Sequence, residues 1–204
     1  MSPGVHMIGV LALQGAFHSH QALLDGLGHR TLQVRTPADL ARVDALVMPG
    51  GESTTMSKLL VTSELFDPLA ARLADGMPAF GTCAGMILLA AEVLDGRPDQ
   101  RSFGVIDISV QRNGYGRQLD SFETDLHVPG LGIDADRFHG VFIRAPKVTR
   151  VGVDVEILAE HAGVPVLLRH GPITVASFHP ELANDARLHA QFLSSFLTTS
   201  QTEI

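Results

Sequence analysis

The residue with the clearest chemical potential is Cys83, the only cysteine of the 204-residue chain. It lies between Gly81 and Gly85 in a Gly-x-Cys-x-Gly pattern, where an apolar run meets a segment of helical periodicity. A strand, a sharp turn and a helix with this pattern form a nucleophile elbow, which projects the central side chain above the sheet. The amides at the start of the helix favour a thiolate. The pattern predicts a nucleophilic cysteine, although a lone cysteine is more often a buried structural residue.

A cysteine that attacks an amide also needs a base, and the base needs a group that orients it. The segment Ser-Phe-His-Pro-Glu-Leu offers both in His179 and Glu181, with Pro180 restricting the backbone between them. In an extended segment, residues i and i+2 point the same way, so the carboxylate can reach one imidazole nitrogen while the other faces a cleft. A surface turn followed by a helix-leading glutamate is the structural alternative.

The presence of a histidine is not informative by itself, because the chain contains ten. Six of them lie in polar or helix-surface contexts: His18, His20, His29, His161, His170 and His189. We expect these six side chains to be solvated.

A tetrahedral intermediate also needs hydrogen-bond donors that face its oxyanion. The backbone N–H of Ala84, the residue after the cysteine, is one candidate. The Gly50-Gly51 pair, at the end of another apolar run, offers a second donor in the Gly51 N–H, since glycine permits close approach of backbone and substrate. We therefore expect an oxyanion hole formed by Gly51 and Ala84.

The elements that must position these residues follow a repeating order. Four short apolar runs, each followed by a helical segment, predict four strands: Met7–Leu13, Arg30–Arg35, Ala45–Gly51 and Met77–Cys83. Ser53 is a candidate N-cap for the third helix, and the helix after Cys83 is expected to run to about Val93. Alternating strands and helices indicate a parallel sheet with helices on both faces, and such sheets bind ligands at the carboxyl ends of their strands.

The second half of the chain instead contains six short strand-like segments separated by turns, which predict an antiparallel extension of the same sheet. A last helix, capped by Asn184 or Asp185, has an apolar stripe of Leu188, Phe192, Leu193, Phe196 and Leu197. The predicted fold is α/β, a three-layer α/β/α arrangement with a mostly parallel open sheet, similar to flavodoxin. We expect one domain over residues 1–204, with an ordered core of about 7–198.

The composition disfavours several classes of partner. The net charge is −7 and no run of Lys or Arg occurs, so binding to nucleic acid or to an anionic membrane surface is not expected. The apolar opening segment is interrupted by Gln14, has no Lys or Arg before it and is too short to span a bilayer. One cysteine cannot form an internal disulfide, so a cytoplasmic location is expected.

Six segments together are more specific than any of these patterns alone. They read GVLALQGAF, MPGGESTTM, FGTCAGMILLA, RNGYGRQLDSFE, GVFIRAP and SFHPEL, and they occur in this order from about Ile8 to Glu181. The set resembles the glutaminase subunits of pyridoxal 5′-phosphate synthase, which are class I (triad-type) glutamine amidotransferases.

The resemblance implies a role for each matching position. Cys83 would form a γ-glutamyl thioester, with His179 and Glu181 as its relay partners. The implied glutamine-binding residues are Gly51, Glu52, Ser53, Arg112, Ile143 and Arg144. A site for free glutamine also needs a cation for the α-carboxylate and an acceptor for the α-ammonium group. No metal ion or organic cofactor is implied.

The resemblance also implies a protein partner, a (β/α)-barrel synthase subunit that receives the ammonia and activates the glutaminase by docking. Such docking could turn the Gly50-Gly51 peptide so that its N–H faces the oxyanion. Two alternatives stay open from the sequence. One is a cysteine hydrolase on the same fold that cleaves peptides or another amide, and the other is a catalytically silent module that binds the synthase.

Overall fold

A seven-stranded sheet forms the centre of the computed structural model, which describes residues 6–114, 121–132 and 136–197. From edge to edge its strands are β10 (Glu156–His161), β11 (Val164–His170), β12 (Ile173–Ala176), β4 (Ala79–Thr82), β3 (Ala45–Met48), β1 (Met7–Leu11) and β2 (Arg30–Val34). The strands from β12 to β2 pair in parallel, whereas β10, β11 and β12 pair antiparallel. The predicted mostly parallel sheet with an antiparallel extension is confirmed.

Helices cover both faces of this sheet. One face carries α1 (Phe17–Gly26) and α6 (Arg187–Leu197), and the other carries α2 (Pro37–Leu40), α3 (Ser53–Thr62), α4 (Phe66–Ala74) and α5 (Ala84–Leu89). Side chains alternate along each strand, so Leu46 and Met48 belong to the α2–α5 cluster while Ala45 and Val47 belong to the α1–α6 cluster. The sheet is buried on both faces, which explains its continuous apolar runs. No helix in the described ranges is long and apolar enough to cross a membrane.

The expectation that all six later strands extend the main sheet is wrong for three of them. The strand β6 (Ile106–Gln111) forms a separate sheet with β5 (Ala90–Val93) and β9 (Lys147–Val151), and β7 (Ser121–His127) pairs with β8 (Arg137–Ile143). The two groups cover opposite faces, since β6 contributes to the α2–α5 cluster and β8 to the α1–α6 cluster. Alternating hydrophobicity identifies a strand, but long-range packing decides which strand it pairs with.

The helix after Cys83 is also shorter than expected. It ends at Leu89 and not near Val93, because Ala90 adopts an extended conformation with φ −62° and ψ 147°. Ala90 is already paired with Ile106 of β6. Pairing with β6 makes the end of the predicted helix a strand, and a local helical pattern cannot reveal a pairing with a distant segment.

The last helix begins at Arg187, so Ala186 and neither predicted residue takes the N-cap position, but its start is contacted by Asp185. Its carboxylate accepts the backbone N–H of Arg187, the first residue of α6. The stripe residues Leu188, Phe192 and Leu193 are buried. The side chain of Leu197 lies outside the described residues, as do residues 198–204 at the end of the predicted core. The single-domain organisation stays a prediction.

The turn between β4 and α5 brings a helix unusually close to the sheet. Cys83 lies in the turn with a positive φ of 50° and ψ of −104°, a conformation that costs free energy for a residue with a side chain. The flanking glycines allow the close approach. An added Cβ would lie 2.7 Å from the backbone of Gly85 if placed on Gly81, and 2.1 Å from the Met48 carbonyl oxygen if placed on Gly85. The surrounding backbone therefore requires glycine at both positions.

We expect Gly85→Ala to destabilise the protein by about 1–3 kcal/mol or more, because the new methyl group meets rigid backbone and α5 must move. Gly26→Ala is the matched control, since Gly26 is also helical and an added Cβ there has no neighbour within 4 Å. Its effect should be neutral or stabilising by up to about 1 kcal/mol. Urea unfolding measures both variants, and equal free energies of unfolding would contradict the packing argument.

Candidate active site

The site lies where three neighbouring parallel strands end at one edge of the sheet. Cys83 follows β4 directly, the Gly50-Gly51 turn follows β3, and His179 follows β12 after two residues. The backbone N–H of Cys83 donates to the Ala176 carbonyl at 2.8 Å, which continues the pairing of β4 and β12 into the turn. Parallel pairing thus brings distant parts of the sequence together at the carboxyl edge, where open α/β sheets bind ligands.

The imidazole of His179 is oriented by Glu181, as the sequence predicts. Its Nδ1 atom lies 2.8 Å from Glu181 Oε1, so its Nε2 atom is left to face the cysteine. The local backbone differs from the prediction, because Pro180–Leu182 forms a 3-10 turn and not an extended segment. The His179 N–H donates to the Val141 carbonyl of β8 at 2.8 Å, which fixes the start of this turn.

The electrostatics of His179 and Glu181 favour their charged forms. Burial opposes a charge on His179, but interactions with Cys83 and Glu181 outweigh it and raise the pKa of His179 to about 10. Burial likewise opposes ionisation of Glu181, but His179 and His20 outweigh it and hold the pKa of this carboxyl well below its usual range. An imidazolium held by a carboxylate stabilises a neighbouring thiolate, which is the reactive form of cysteine.

Gly50 packs directly against the cysteine and the histidine. An added Cβ at Gly50 would lie 2.4 Å from His179 Cε1 and 3.3 Å from Cys83 Cβ. The Gly50 carbonyl oxygen faces Gly15, since a Cβ added at Gly15 would lie 1.8 Å from this oxygen. The C=O and N–H of a planar trans peptide point in opposite directions, so the Gly51 N–H points away from Gly15. Within the described residues this N–H makes no hydrogen bond. Ala84 supplies the first amide of α5, which has no partner inside the helix.

A cavity of about 330 Å³ opens beside Cys83 and His179. Every residue that the resemblance assigns to glutamine binding lines it: Gly51, Glu52, Ser53, Arg112, Ile143 and Arg144. Glu181 lies behind His179 and is buried, and Ala84 is completely buried. The volume is at the lower end of the roughly 300–1,000 Å³ that small-molecule sites have, which suits a single amino acid.

Two arginines give the cavity its positive charge. The Arg112 guanidinium donates to Thr54 Oγ1 at 2.9 Å and to Gln100 Oε1 at 3.0 Å, and it lies 4.0 Å from Glu52 Oε1. These contacts fix its direction. Arg144 is exposed and has a positive φ of 43° at the end of β8. The Arg112 guanidinium, whose direction is fixed, can bind a carboxylate with two parallel hydrogen bonds.

The N-cap of α3 is Glu52 and not Ser53, which the sequence predicted. Its carboxylate caps α3 by accepting the N–H groups of Thr54 and Thr55, and Ser53 is the first residue of the helix. Partial burial opposes the charge, but the hydrogen bonds from Thr55 and Thr54 outweigh it and lower the pKa of Glu52 to about 2. The cavity wall thus carries a permanent carboxylate, which can accept from an ammonium group.

The sequence analysis missed several residues of the cavity. Gln14, Ile87 and Asn113 also line it, and Gln14 Oε1 accepts the Glu52 N–H at 3.0 Å. Gln14 follows β1 at the same edge of the sheet, and this position could have predicted from the sequence that it lines the cavity. Gln100, which holds Arg112, belongs to a loop without a pattern. Residues 115–120 of the RNGYGRQLDSFE segment lie outside the described residues.

The expectation of solvated histidines is wrong for His20 and His189. Both have no exposed surface, and His20 Nδ1 lies 2.8 Å from His189 Nε2. The helical spacing contained the signal. His20 is one turn before the buried Leu24 in α1, and His189 is one turn before Phe192 and Leu193 in the apolar stripe of α6.

Solved structures define the class of protein that this fold represents. A crystal structure described as a glutamine amidotransferase superposes with a TM-score of 0.86 at 48% identity, covering 94% of this chain and 98% of that one. A glutamine amidotransferase from Thermotoga maritima superposes with a TM-score of 0.61 at 13% identity, covering 98% and 86%, and shows the fold alone. The fold is that of the class I glutamine amidotransferases.

The family follows from sequence comparison. The model of the SNO glutamine amidotransferase family matches residues 10–198, and the chain belongs to this family. Two relatives are described as pyridoxal 5′-phosphate synthase subunit PdxT. The protein from Herpetosiphon aurantiacus is 54% identical, over 91% of this chain and 98% of its own, and the protein from Mycobacteroides abscessus is 53% identical, over 95% and 97%.

We expect Glu181→Gln to slow alkylation of Cys83 by iodoacetamide roughly twofold or more at pH 7. The amide still accepts from His179, but loss of the neighbouring charge lowers the pKa of His179, so the imidazolium that stabilises the thiolate becomes less populated. Mass spectrometry measures the rate, because the chain has a single cysteine. The control Glu156→Gln removes an exposed partner of Arg169 and should leave the rate unchanged. Equal rates in both variants would contradict the charge argument.

Proposed function

We propose that this chain is the glutaminase subunit of a pyridoxal 5′-phosphate synthase. It hydrolyses L-glutamine to L-glutamate and ammonia, and it delivers the ammonia to the barrel subunit of the synthase for vitamin B6 biosynthesis. The observation that supports the reaction most directly is the position of Cys83. Its strained turn lies next to His179, with His179 held by Glu181, beside a cavity that has both charges a free amino acid needs.

The first half of the reaction forms a thioester. The thiolate of Cys83 attacks the side-chain carboxamide carbon of glutamine, and the carbonyl oxygen becomes an oxyanion. The proposed donors to this oxyanion are the N–H of Ala84 and, once docking has turned the Gly50-Gly51 peptide, the N–H of Gly51. His179 then gives its Nε2 proton to the leaving nitrogen, so the carbon–nitrogen bond breaks and ammonia departs.

The second half releases glutamate. His179 accepts a proton from a water molecule, and the resulting hydroxide attacks the thioester carbonyl carbon. The carbon–sulfur bond breaks, Cys83 returns to its thiolate form, and His179 is again an imidazolium, while the new carboxylic acid gives its proton to water and leaves as glutamate. Glu181 stays ionised throughout and stabilises the imidazolium, since its pKa lies well below its usual range.

The cavity walls account for selection of the free amino acid. Arg112 and Arg144 offer cations to the α-carboxylate, and the ionised Glu52 offers an acceptor to the α-ammonium group. A glutamine residue inside a peptide lacks both of these charges, and one at a terminus lacks one of them. Its binding would leave polar groups of the wall unpaired, and that costs free energy.

We expect Cys83→Ala to reduce glutamate release from glutamine to the uncatalysed background while the free energy of unfolding stays close to that of the wild type. The variant removes only the sulfur that forms the thioester. A coupled assay with glutamate dehydrogenase measures the product. The Gly26→Ala variant controls for effects of preparing a variant protein and should retain full activity. Activity of the Cys83→Ala complex equal to that of the wild type would favour the silent synthase-binding module.

A peptide library separates the proposed reaction from a general cysteine hydrolase. The wild type should release glutamate from free glutamine and leave glutamine-containing peptides intact. Cleavage of peptides or other amides at rates comparable to that of glutamine would overturn the assignment of the substrate.

The partner forms the second part of the proposal and is supported by the relatives described as synthase subunits. We expect the isolated chain to hydrolyse glutamine slowly and the chain mixed with a synthase barrel subunit to be at least about tenfold faster. The physical reason is that the Gly50-Gly51 peptide must direct its N–H at the oxyanion, and loss of one such donor costs about 10²–10³ in turnover. Full turnover by the purified chain alone would contradict activation by docking.

A further inference from the structure

Two histidines that the proposed mechanism does not use lie directly behind the relay. His20 Nε2 is 3.3 Å from Glu181 Oε2, and His20 Nδ1 is 2.8 Å from His189 Nε2. The side chains of His20 and Glu181 have no exposed surface, and His189 is completely buried as well. A continuous row therefore runs inward from His179 through Glu181 and His20 to His189, and we call these four residues the buried row.

Glu181 needs a partner on its inner side. Its Oε1 atom is taken by His179, whereas Oε2 has no hydrogen bond of regular geometry within the described residues. A buried carboxylate oxygen without compensation is costly. The polar group that faces it is the Nε2 edge of His20, which also lies 3.2 Å from the Thr82 hydroxyl oxygen. Contact with this edge compensates the carboxylate.

The hydrogen-bond network assigns the proton positions in the row. An ionised carboxylate can only accept, so His20 Nε2 carries a proton toward Glu181. His189 is neutral, because burial lowers its pKa to about 3. Its Nδ1 has no partner within the described residues, which favours a bare nitrogen there and a proton on Nε2. His189 then donates to His20 Nδ1, and this contact fixes the tautomer and the ring plane of His20.

We propose that His20 is a positioning residue for the reaction, which holds the Glu181 carboxylate against His179, and that His189 acts through His20 by fixing its tautomer. This inference rests on the proposed glutaminase function. Helix α1 supplies His20 and helix α6 supplies His189, so both helices of one face of the sheet support the relay. Rotation of the Glu181 carboxylate away from His179 would lower turnover without changing the cavity that binds glutamine.

A matched pair of variants at His20 tests the role of the N–H group. Gln and Met have similar length and volume, but only Gln has an N–H donor. With the synthase present, we expect His20→Met to lower kcat for glutamine by roughly 10- to 100-fold, the effect of losing a donor that faces a buried charge, with KM within about twofold of wild type. His20→Gln should recover most of kcat. His18→Met, on the exposed side of the same helix, should retain wild-type kcat.

A double-mutant cycle tests the role of His189. We expect His189→Phe to lower kcat severalfold in the wild type and to have almost no effect in the His20→Met background, because His189 acts only through His20. Urea unfolding of each variant accompanies the assay, and kcat values are compared only among folded proteins. Additive losses from the two sites would overturn the role of His189.

Other results would overturn the role of His20. These are a kcat for His20→Met within twofold of the wild type, a kcat for His20→Gln no higher than that of His20→Met, or a loss confined to KM. The rate of Cys83 alkylation at pH 7 should follow the same order of variants, and this readout needs no glutamine turnover. If the wild-type complex releases no glutamate, the proposed function fails. If it releases glutamate and the variants do not differ, only the inference about His20 fails.

Discussion

The close contact between α5 and the sheet determines most of what this protein can do. Gly81 in β4 and Gly85 in α5 let the helix approach the backbone of β4 and β3 so closely that no side chain fits at either position. The approach holds Cys83 in a strained conformation with positive φ, and strain of this kind persists only where the surrounding structure determines the backbone completely. The sulfur therefore has a fixed position at the carboxyl edge, and every other group of the site is arranged around it.

Burial of charge is the second organising feature. Glu181 is a completely buried carboxylate, which a small domain tolerates only with compensating partners. His179 compensates one oxygen, and the Nε2 edge of His20 faces the other. The same carboxylate raises the pKa of His179 to about 10 together with Cys83, against the effect of burial. Stability of the interior and reactivity of the thiol thus depend on the same few contacts.

A large part of the site was predictable, because its residues belong to local patterns. The Gly-x-Cys-x-Gly turn and the His-Pro-Glu segment identified Cys83, His179 and Glu181, and the family segments identified the walls of the cavity. The second half of the fold was harder to predict from the sequence. The patterns of β6 and β8 predicted extensions of the main sheet, but these strands cover opposite faces of it. Burial of His20 and His189 was missed because polar neighbours suggested a solvated surface, although helical spacing placed both beside buried apolar residues.

The sequence by itself determined the alternation of strands and helices, the position of Cys83 at a strand end and the family of the chain, since each depends on local patterns of residues. Only the tertiary structure decided that Glu52 and not Ser53 caps α3, that Gln14 and Gln100 support the cavity, and that the row of polar side chains behind His179 continues inward to α1 and α6. These contacts join segments that are far apart in the chain or depend on side-chain direction. Parallel strand pairing and the packing of helices on the sheet fix these contacts and directions. No single segment of the sequence encodes that pairing or packing.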